Sequence, residues 1–217
     1  EIYTLSLHDA LPISFGVNHL GHFLLTSLLI EKLKDSAPAR VVVLSSALYA
    51  MGTADGVLKM VEKKKDFGMT AAYSNSKLAN LLFASELNRR LHGTQVSANS
   101  LHPGLISTSI TRSSTFMRFF TSMAAAFRKT IPEGAATSVF VATHPSVTSE
   151  NSGKYYSDCK VEKMESFAAN EDLASRLWEL SEQLTGVTFL QPAGDEVVEH
   201  KKEGTKTPKA KKQKAQK

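Results

Sequence analysis

The sequence predicts an α/β domain built around a parallel sheet. Three observations predict it: hydrophobic spacing that switches repeatedly between the helical and the strand period, β-branched runs short enough for buried strands, and the composition of one globular domain. Of 217 residues, 42% are hydrophobic and 22% charged, with 12 Gly and 7 Pro. That excludes fibrous, collagen-like and wholly disordered chains. Cys159 is the only cysteine, which excludes an intramolecular disulfide framework and a cysteine-based zinc site.

FGVNHLGHFLLTSLLIEKL has apolar residues at 17, 20, 24, 28 and 29, a helical spacing over 15–34 that ends in charges. ARVVVLSS, from Ala39, is a continuous β-branched run, the pattern of a strand buried on both faces. Residues 70–92 return to helical spacing through Leu78, Leu81, Leu82 and Leu91, with Gly93 placed as a stop. TQVSANSLHPG reads as strand plus loop, and PEGAATSVFVATH as a helix with Pro132 at its start. GKYYSDC reads as a short strand, and NEDLASRLWELSEQLTG as a helix capped by Asn170 and stopped by Gly186. Strands alternating with helices require crossover connections, hence a parallel sheet. The longest apolar stretches, Phe23 to Ile30 and Met117 to Phe127, fall short of the ~20 apolar residues that cross a bilayer, so no transmembrane helix is expected.

The net charge of +5 is not spread over the body. Residues 199–217 hold eight lysines against Glu199 and Glu203, a net +6, which leaves −1 for residues 1–198. Residues 191–217 contain no aromatic and, from His200 on, almost nothing apolar, so this segment has nothing to bury and is expected to be a disordered basic tail. Single-strand binders interleave aromatics for base stacking, and the last aromatic here is Phe189, so no nucleic acid is expected. Acidic lipid is the tail's other candidate contact. At the opposite end, EIYTLSLHDALPIS fits neither strand alternation nor a capped helix and lacks the basic start of a signal peptide. Residues 1–14 read as translated sequencing adaptor, which makes 15–190 a partial domain whose first strands lie outside the sequence.

Tyr73-Ser-Asn-Ser-Lys77 sets a phenol and an ammonium four apart, on one face of a helix. A free phenol, with a pKa near 10, exchanges protons poorly at neutral pH, and a neighbouring positive charge favours the phenolate. The pair is a device for proton transfer to or from an alcohol or carbonyl. The spacing alone is common: Tyr156-Ser-Asp-Cys-Lys160 repeats it. Tyr156 falls in the expected short strand, which puts Lys160 on the same face about 13 Å along the chain. Tyr73 opens a helix that follows Ser45-Ser46, and Asn18 lies on the preceding helix.

With these residues in this order, the sequence resembles the C-terminal two-thirds of a short-chain dehydrogenase/reductase. Asn18 in VNHLGHF, Ser46 ending VVVLSS, and Tyr73 with Lys77 in YSNSK match that family's tetrad, and Pro103, Gly104 and Thr108 in HPGLIST match its loop at the nicotinamide. Within the family, NHLGHFLLT, YSNSKLANLLFASEL and YYSDC are most similar to the group of retinol dehydrogenases 11 to 14. The resemblance implies a Rossmann-type doubly wound parallel sheet and an NADP- or NAD-dependent oxidoreductase. It implies that Tyr73 exchanges the proton with the substrate oxygen and that Ser46 hydrogen-bonds that oxygen. It further implies that Lys77 favours the phenolate and, with Tyr73, binds the nicotinamide ribose, and that Asn18 holds the relaying water.

Two departures stand out. Ser46 and Tyr73 are 27 residues apart, a longer connection than many members have, and VEKKKDFG within it reads as charged surface. No two glycines lie closer than Gly52 and Gly56, so the sequence contains no GxG turn for the cofactor's pyrophosphate. Between Thr108 and Ile131, Phe116, Met117, Phe119, Phe120, Met123 and Phe127 mix with Arg112, Arg118, Arg128 and Lys129. In the family this region covers the substrate, which implies a small lipophilic alcohol or aldehyde such as retinol or retinal. An apolar stretch rimmed by positive charge also suits contact with a membrane surface. The helices at 15–34 and 70–92 are apolar on more than one face, which in this family implies a homodimer of the full-length protein. His19, His22, His92, His102 and His144 show no metal spacing. The alternatives are an inactive piece of such an enzyme, or a scaffold whose basic tail binds nucleic acid or membrane.

Overall fold

A computed structural model of the protein describes residues 12–61, 67–106 and 128–190. The basic tail, the phenylalanine-rich segment expected to cover the substrate except for its last residues, and most of residues 1–14 lie outside the described residues, as does Thr108.

Helix α1 runs over Ile13–Asp35 and widens to a π-turn at Gly16–Leu20. Strand β1 is Ala39–Leu44, followed by a 3₁₀ turn at Ala47–Met51 and helix α2 at Ala54–Val61. Helix α3, Met69–Arg90, leads into β2, Val96–His102. Helix α4 is Ile131–Thr143, β3 is Tyr155–Ser157, β4 is Lys160–Glu162 and α5 is Glu171–Thr185. The caps read from sequence are in place. Asn170 Oδ1 accepts from Leu173 N–H at 2.8 Å, and Gly186 ends α5 in the left-handed region. Thr130 and Glu133 form a capping box at α4.

The sheet order is β1-β2-β3-β4, with β1, β2 and β3 parallel and β4 antiparallel to β3. Alternation along the strands sorts the core into two layers. Ala39, Val41 and Val43 of β1, with Val96 and Ala98 of β2, pack with Phe23, Phe83, Leu87 and Trp178. Val42, Leu101 and Tyr156 turn the other way, to Phe140 and Val141 of α4. Helices therefore cover both faces of the parallel strands, the architecture expected.

Four expectations change. First, β1 is half-buried along most of its length, and Leu44 is 46% exposed, because β1 forms the edge of the sheet among the described residues. Second, the insertion after Ser46 has a structured part beside its charged stretch, of which residues 62–66 lie outside the described residues. It holds α2, whose Val57, Met60 and Val61 are buried against α3 and α5. Third, backbone hydrogen bonding continues through the charged end of the first apolar run, so Ile13–Asp35 is long and apolar enough to cross a membrane by length and composition. Its Phe15, His19, Leu20, Phe23 and Ile30 are nonetheless buried in the domain core. Fourth, GKYYSDC does not stay extended. Asp158 and Cys159 take positive φ values of 49° and 59°, and the chain folds back so that Ser157 pairs with Lys160.

Candidate active site

Parallel strands leave a crevice beyond their carboxyl ends, where ligands bind in open α/β sheets. Here that rim is built by Ser45 and Ser46 after β1, Pro103 and Gly104 after β2, and Asp158 after β3. Helix α3 begins at the same rim because it must run back antiparallel to reach β2. Its first turns carry Tyr73 and Lys77, both half-buried, and Lys77 Nζ lies 5.7 Å from the Tyr73 ring centroid. The ammonium donates to the Leu44 carbonyl at 3.2 Å, and burial pushes the Lys77 pKa down from its ordinary value.

Ser46 is buried, and its Oγ accepts from Leu48 N–H at 3.3 Å as the cap of the 3₁₀ turn. That bond uses an Oγ lone pair and leaves the hydroxyl proton free to donate. Its neighbour Ser45 donates to the Lys77 carbonyl at 2.7 Å, locking the end of β1 to α3. Asn18 sits in the π-turn of α1, a feature that gives no periodic signal in the sequence and that recurs at functional sites. Asn18 Nδ2 donates to Ser76 Oγ at 3.0 Å, and Ser76 donates to the Tyr73 carbonyl at 2.7 Å. Asn18, Tyr73 and Lys77 are thus tied into one corner with the end of β1.

Gly104 has φ +91°, and a Cβ there would meet Cδ, Cε and Nζ of Lys129 at 2.7–2.9 Å. Lys129 pairs with Asp158 and reaches the Pro103 carbonyl at 3.5 Å. Its N–H donates to the Leu105 carbonyl at 2.8 Å, so Ile106 and Lys129, which flank residues 107–128, meet in a parallel bridge. His102, ending β2, is half-buried with its pKa lowered by burial and by nearby Lys129. Sequence reasoning does not bring Lys129, Asp158 or the linking hydroxyl of Ser76 to this rim. Ser76 lies within the YSNSK motif itself, three residues after Tyr73.

The second Tyr-Lys spacing is not a site of this kind, though not for the reason expected. Lys160 lies across a tight turn, paired with Ser157, while Tyr156 is only 4% exposed and packs against Leu101, Val141 and Val147. No group of three or more His, Cys, Asp or Glu poised for a metal occurs among the described residues.

A short chain dehydrogenase family profile matches residues 4–118, a stretch that begins inside the adaptor-like segment. The chain is 43% identical over 187 residues to retinol dehydrogenase 14 of Homo sapiens, covering 84% of this chain and 55% of that protein. It is 45% identical over 181 residues to retinol dehydrogenase 12 of Mus musculus, covering 83% and 56%. To the chloroplastic short-chain dehydrogenase TIC 32 A of Brassica napus it is 39% identical over 185 residues, covering 81% and 58%. A crystal structure of an uncharacterized protein from Mycobacterium paratuberculosis superposes with a TM-score of 0.61 at 30% identity, covering 83% of this chain and 63% of the other. The chain spans about half the length of the curated relatives it matches. A phenol and an ammonium one helical turn apart at the rim of a parallel sheet, and a profile match over more than half the residues, lead to one assignment: the chain belongs to the short chain dehydrogenase family.

Proposed function

We propose that the protein interconverts a lipophilic alcohol and its carbonyl compound, with NADP or NAD as hydride carrier and Tyr73 as the proton-transfer group. The observation that carries this is the Lys77 ammonium held 5.7 Å from the Tyr73 ring at the carboxyl end of the strands. The family and the relatives named as retinol dehydrogenases support it, and they favour a retinoid-like substrate.

In carbonyl reduction the Tyr73 hydroxyl gives its proton to the substrate oxygen as the hydride reaches the carbonyl carbon. In alcohol oxidation both move in reverse. Ser46 donates its free hydroxyl proton to the same oxygen and fixes the carbonyl for attack. The Lys77 charge favours the phenolate left after transfer, and Asn18, held by Ser76, is placed to pass a proton onward through water. The cofactor, when bound, supplies the hydride. The residues present fit its nicotinamide end: the Tyr73 hydroxyl and Lys77 ammonium are the donors a ribose diol needs, and Pro103 and Gly104 open the adjoining loop, in which the family resemblance also assigns Thr108. For the pyrophosphate end the sequence contains no GxG turn, so no residue of this chain is assigned to it.

An apolar substrate fits the phenylalanine-rich stretch between Thr108 and Ile131. It also fits a membrane-surface location, since Leu25, Leu28 and Leu29 of α1 are exposed. The test is reduction of retinal by the full-length protein with NADPH and with NADH, comparing wild type with Tyr73→Phe. Retinal turnover that vanishes in the variant supports the reading, and equal turnover in the two proteins overturns it.

A further inference from the structure

Two side chains of α3 converge on one acceptor. The Leu44 carbonyl takes a hydrogen bond from Lys77 Nζ at 3.2 Å and another from Asn80 Nδ2 at 3.0 Å. The β1–β2 ladder continues past it, through Ser45 N–H and the Leu101 carbonyl at 2.8 Å. Asn80 is 1% exposed, and its carboxamide faces the ring of His19, which is equally buried. Among the described residues neither Asn80 Oδ1 nor His19 Nδ1 has a partner at hydrogen-bond geometry. On the far side of the ring, His19 Nε2 lies 2.9 Å from Ser181 Oγ, itself 2.7 Å from the Leu177 carbonyl.

Proton counting orders this chain. Ser181 has one hydroxyl proton to give. If it goes to Leu177, His19 must carry its proton on Nε2, and Nδ1 then meets Asn80 Oδ1 lone pair to lone pair. If it goes to His19 Nε2, the ring proton sits on Nδ1 and is turned toward Asn80 Oδ1. Asn80 is then compelled to present its amino group to Leu44. Only the second arrangement turns a donor of His19 toward the Asn80 oxygen instead of opposing two lone pairs.

We propose that Asn80 is a positioning residue for Lys77, one that keeps the Leu44 carbonyl hydrogen-bonded when the ammonium leaves it, with Ser181 and His19 locking the carboxamide in the orientation this requires. The inference rests on the reading that Lys77 works beside Tyr73. A lysine on a flexible stem is useful there only if it can exchange its resting partner for a ribose hydroxyl or a water. A carbonyl with no second donor would retain it.

The test uses the 217-residue chain and reads Lys77 directly. Reductive methylation followed by mass spectrometry gives the labelling rate of each lysine. Replacing Asn80 with leucine, which has similar volume and no donor, is expected to slow Lys77 at least about threefold, because the ammonium becomes the only side-chain donor to the Leu44 carbonyl among the described residues. Lys59 and Lys160, on exposed surface, serve as unchanged controls. Simple loosening of the core would speed Lys77 instead, so an equal or faster rate overturns the proposal. Asn80→Ser, too short to reach Leu44, reads the same rate if the leucine variant does not fold. Independently, ring ¹⁵N shifts of wild-type His19 should place the proton on Nδ1, and a proton on Nε2 would overturn the lock. Retinal turnover plays no part in these readouts, so failure here is distinct from failure of the enzymatic reading.

Discussion

Tyr73 and Tyr156 share a spacing to lysine and differ in everything that spacing leaves out. In the full-length protein, Tyr73→Phe keeps the ring and removes the transferable proton, so turnover is expected to fall by roughly 10² or more, the scale of positioned acid–base catalysis. Tyr156→Phe, in a buried strand beside Phe140, should leave turnover within about threefold, because what changes is a polar contact in the core. Steady-state kinetics on both variants checks the pair, and the reverse ranking would place the site elsewhere. His19 offers a second residue-level test. Burial lowers its pKa from 6.5 to about 3, with Asn80 working against that shift and His22 adding to it. The unfolded chain takes up this proton near pH 6.5, while the folded chain refuses it until about pH 3. The His19 contribution is therefore fully present above pH 6.5 and is lost as the pH falls toward 3, at about 1.4 kcal/mol per unit. Urea denaturation at pH 7.5, 6 and 5 should show this slope in wild type and a shallower one in His19→Phe.

At the scale of the element, short connections carry the geometry. The loop after β2 turns on Gly104, where φ +91° suits glycine alone and the Lys129 stem fills the space a Cβ would take. Gly104→Ala is expected to cost about 1–3 kcal/mol in chemical denaturation and to displace Lys129 from Asp158. Gly16→Ala is the control. Gly16 has helical φ, and a methyl group added there would meet nothing within 4 Å, so alanine should raise stability by about 0.5–1 kcal/mol. The π-turn that carries Asn18 and the hairpin that carries Asp158 are also element-level devices. Each redirects a side chain toward the rim without changing the order of helices and strands.

At the scale of the whole molecule, helix α3 separates two ends of the domain. Tyr73 sits at one end, and at the other Arg90 stacks 4.5 Å over Trp178 and donates to the Leu190 carbonyl at 2.8 Å. Seventeen helical residues at 1.5 Å each put roughly 25 Å between them. Leu190, the last described residue, therefore lies far from the Tyr73 corner, and deleting residues 199–217 from the full-length protein should keep turnover on a soluble aldehyde within about twofold. Association with acidic vesicles should fall on deletion, most clearly at low salt. Loss of aldehyde turnover would mean that the tail contributes to the site.

Much of this was legible in the amino-acid sequence because it depends on local rules. The helix cap at Asn170, the helix start at Pro132, the stop at Gly186 and the alternation of helix with strand each follow from a few neighbouring residues. The order Asn18, Ser46, Tyr73, Lys77 and the pair Pro103-Gly104 likewise stand in the linear text. Other features depend on residues distant in sequence and became definite only in three dimensions. The exposure of β1 depends on which strands flank it, and the burial of α2 depends on α3 and α5 arriving on top of it. The fold-back at Asp158 and Cys159 follows from strand pairing, since neither residue is a glycine that would announce a positive φ. The connection from Ser181 through His19 and Asn80 to Leu44 and Lys77 joins segments far apart in the chain, and no spacing could announce it. Local chemistry selects the elements, while burial and unpaired polar atoms, which exist only once the elements pack, decide how the site is held.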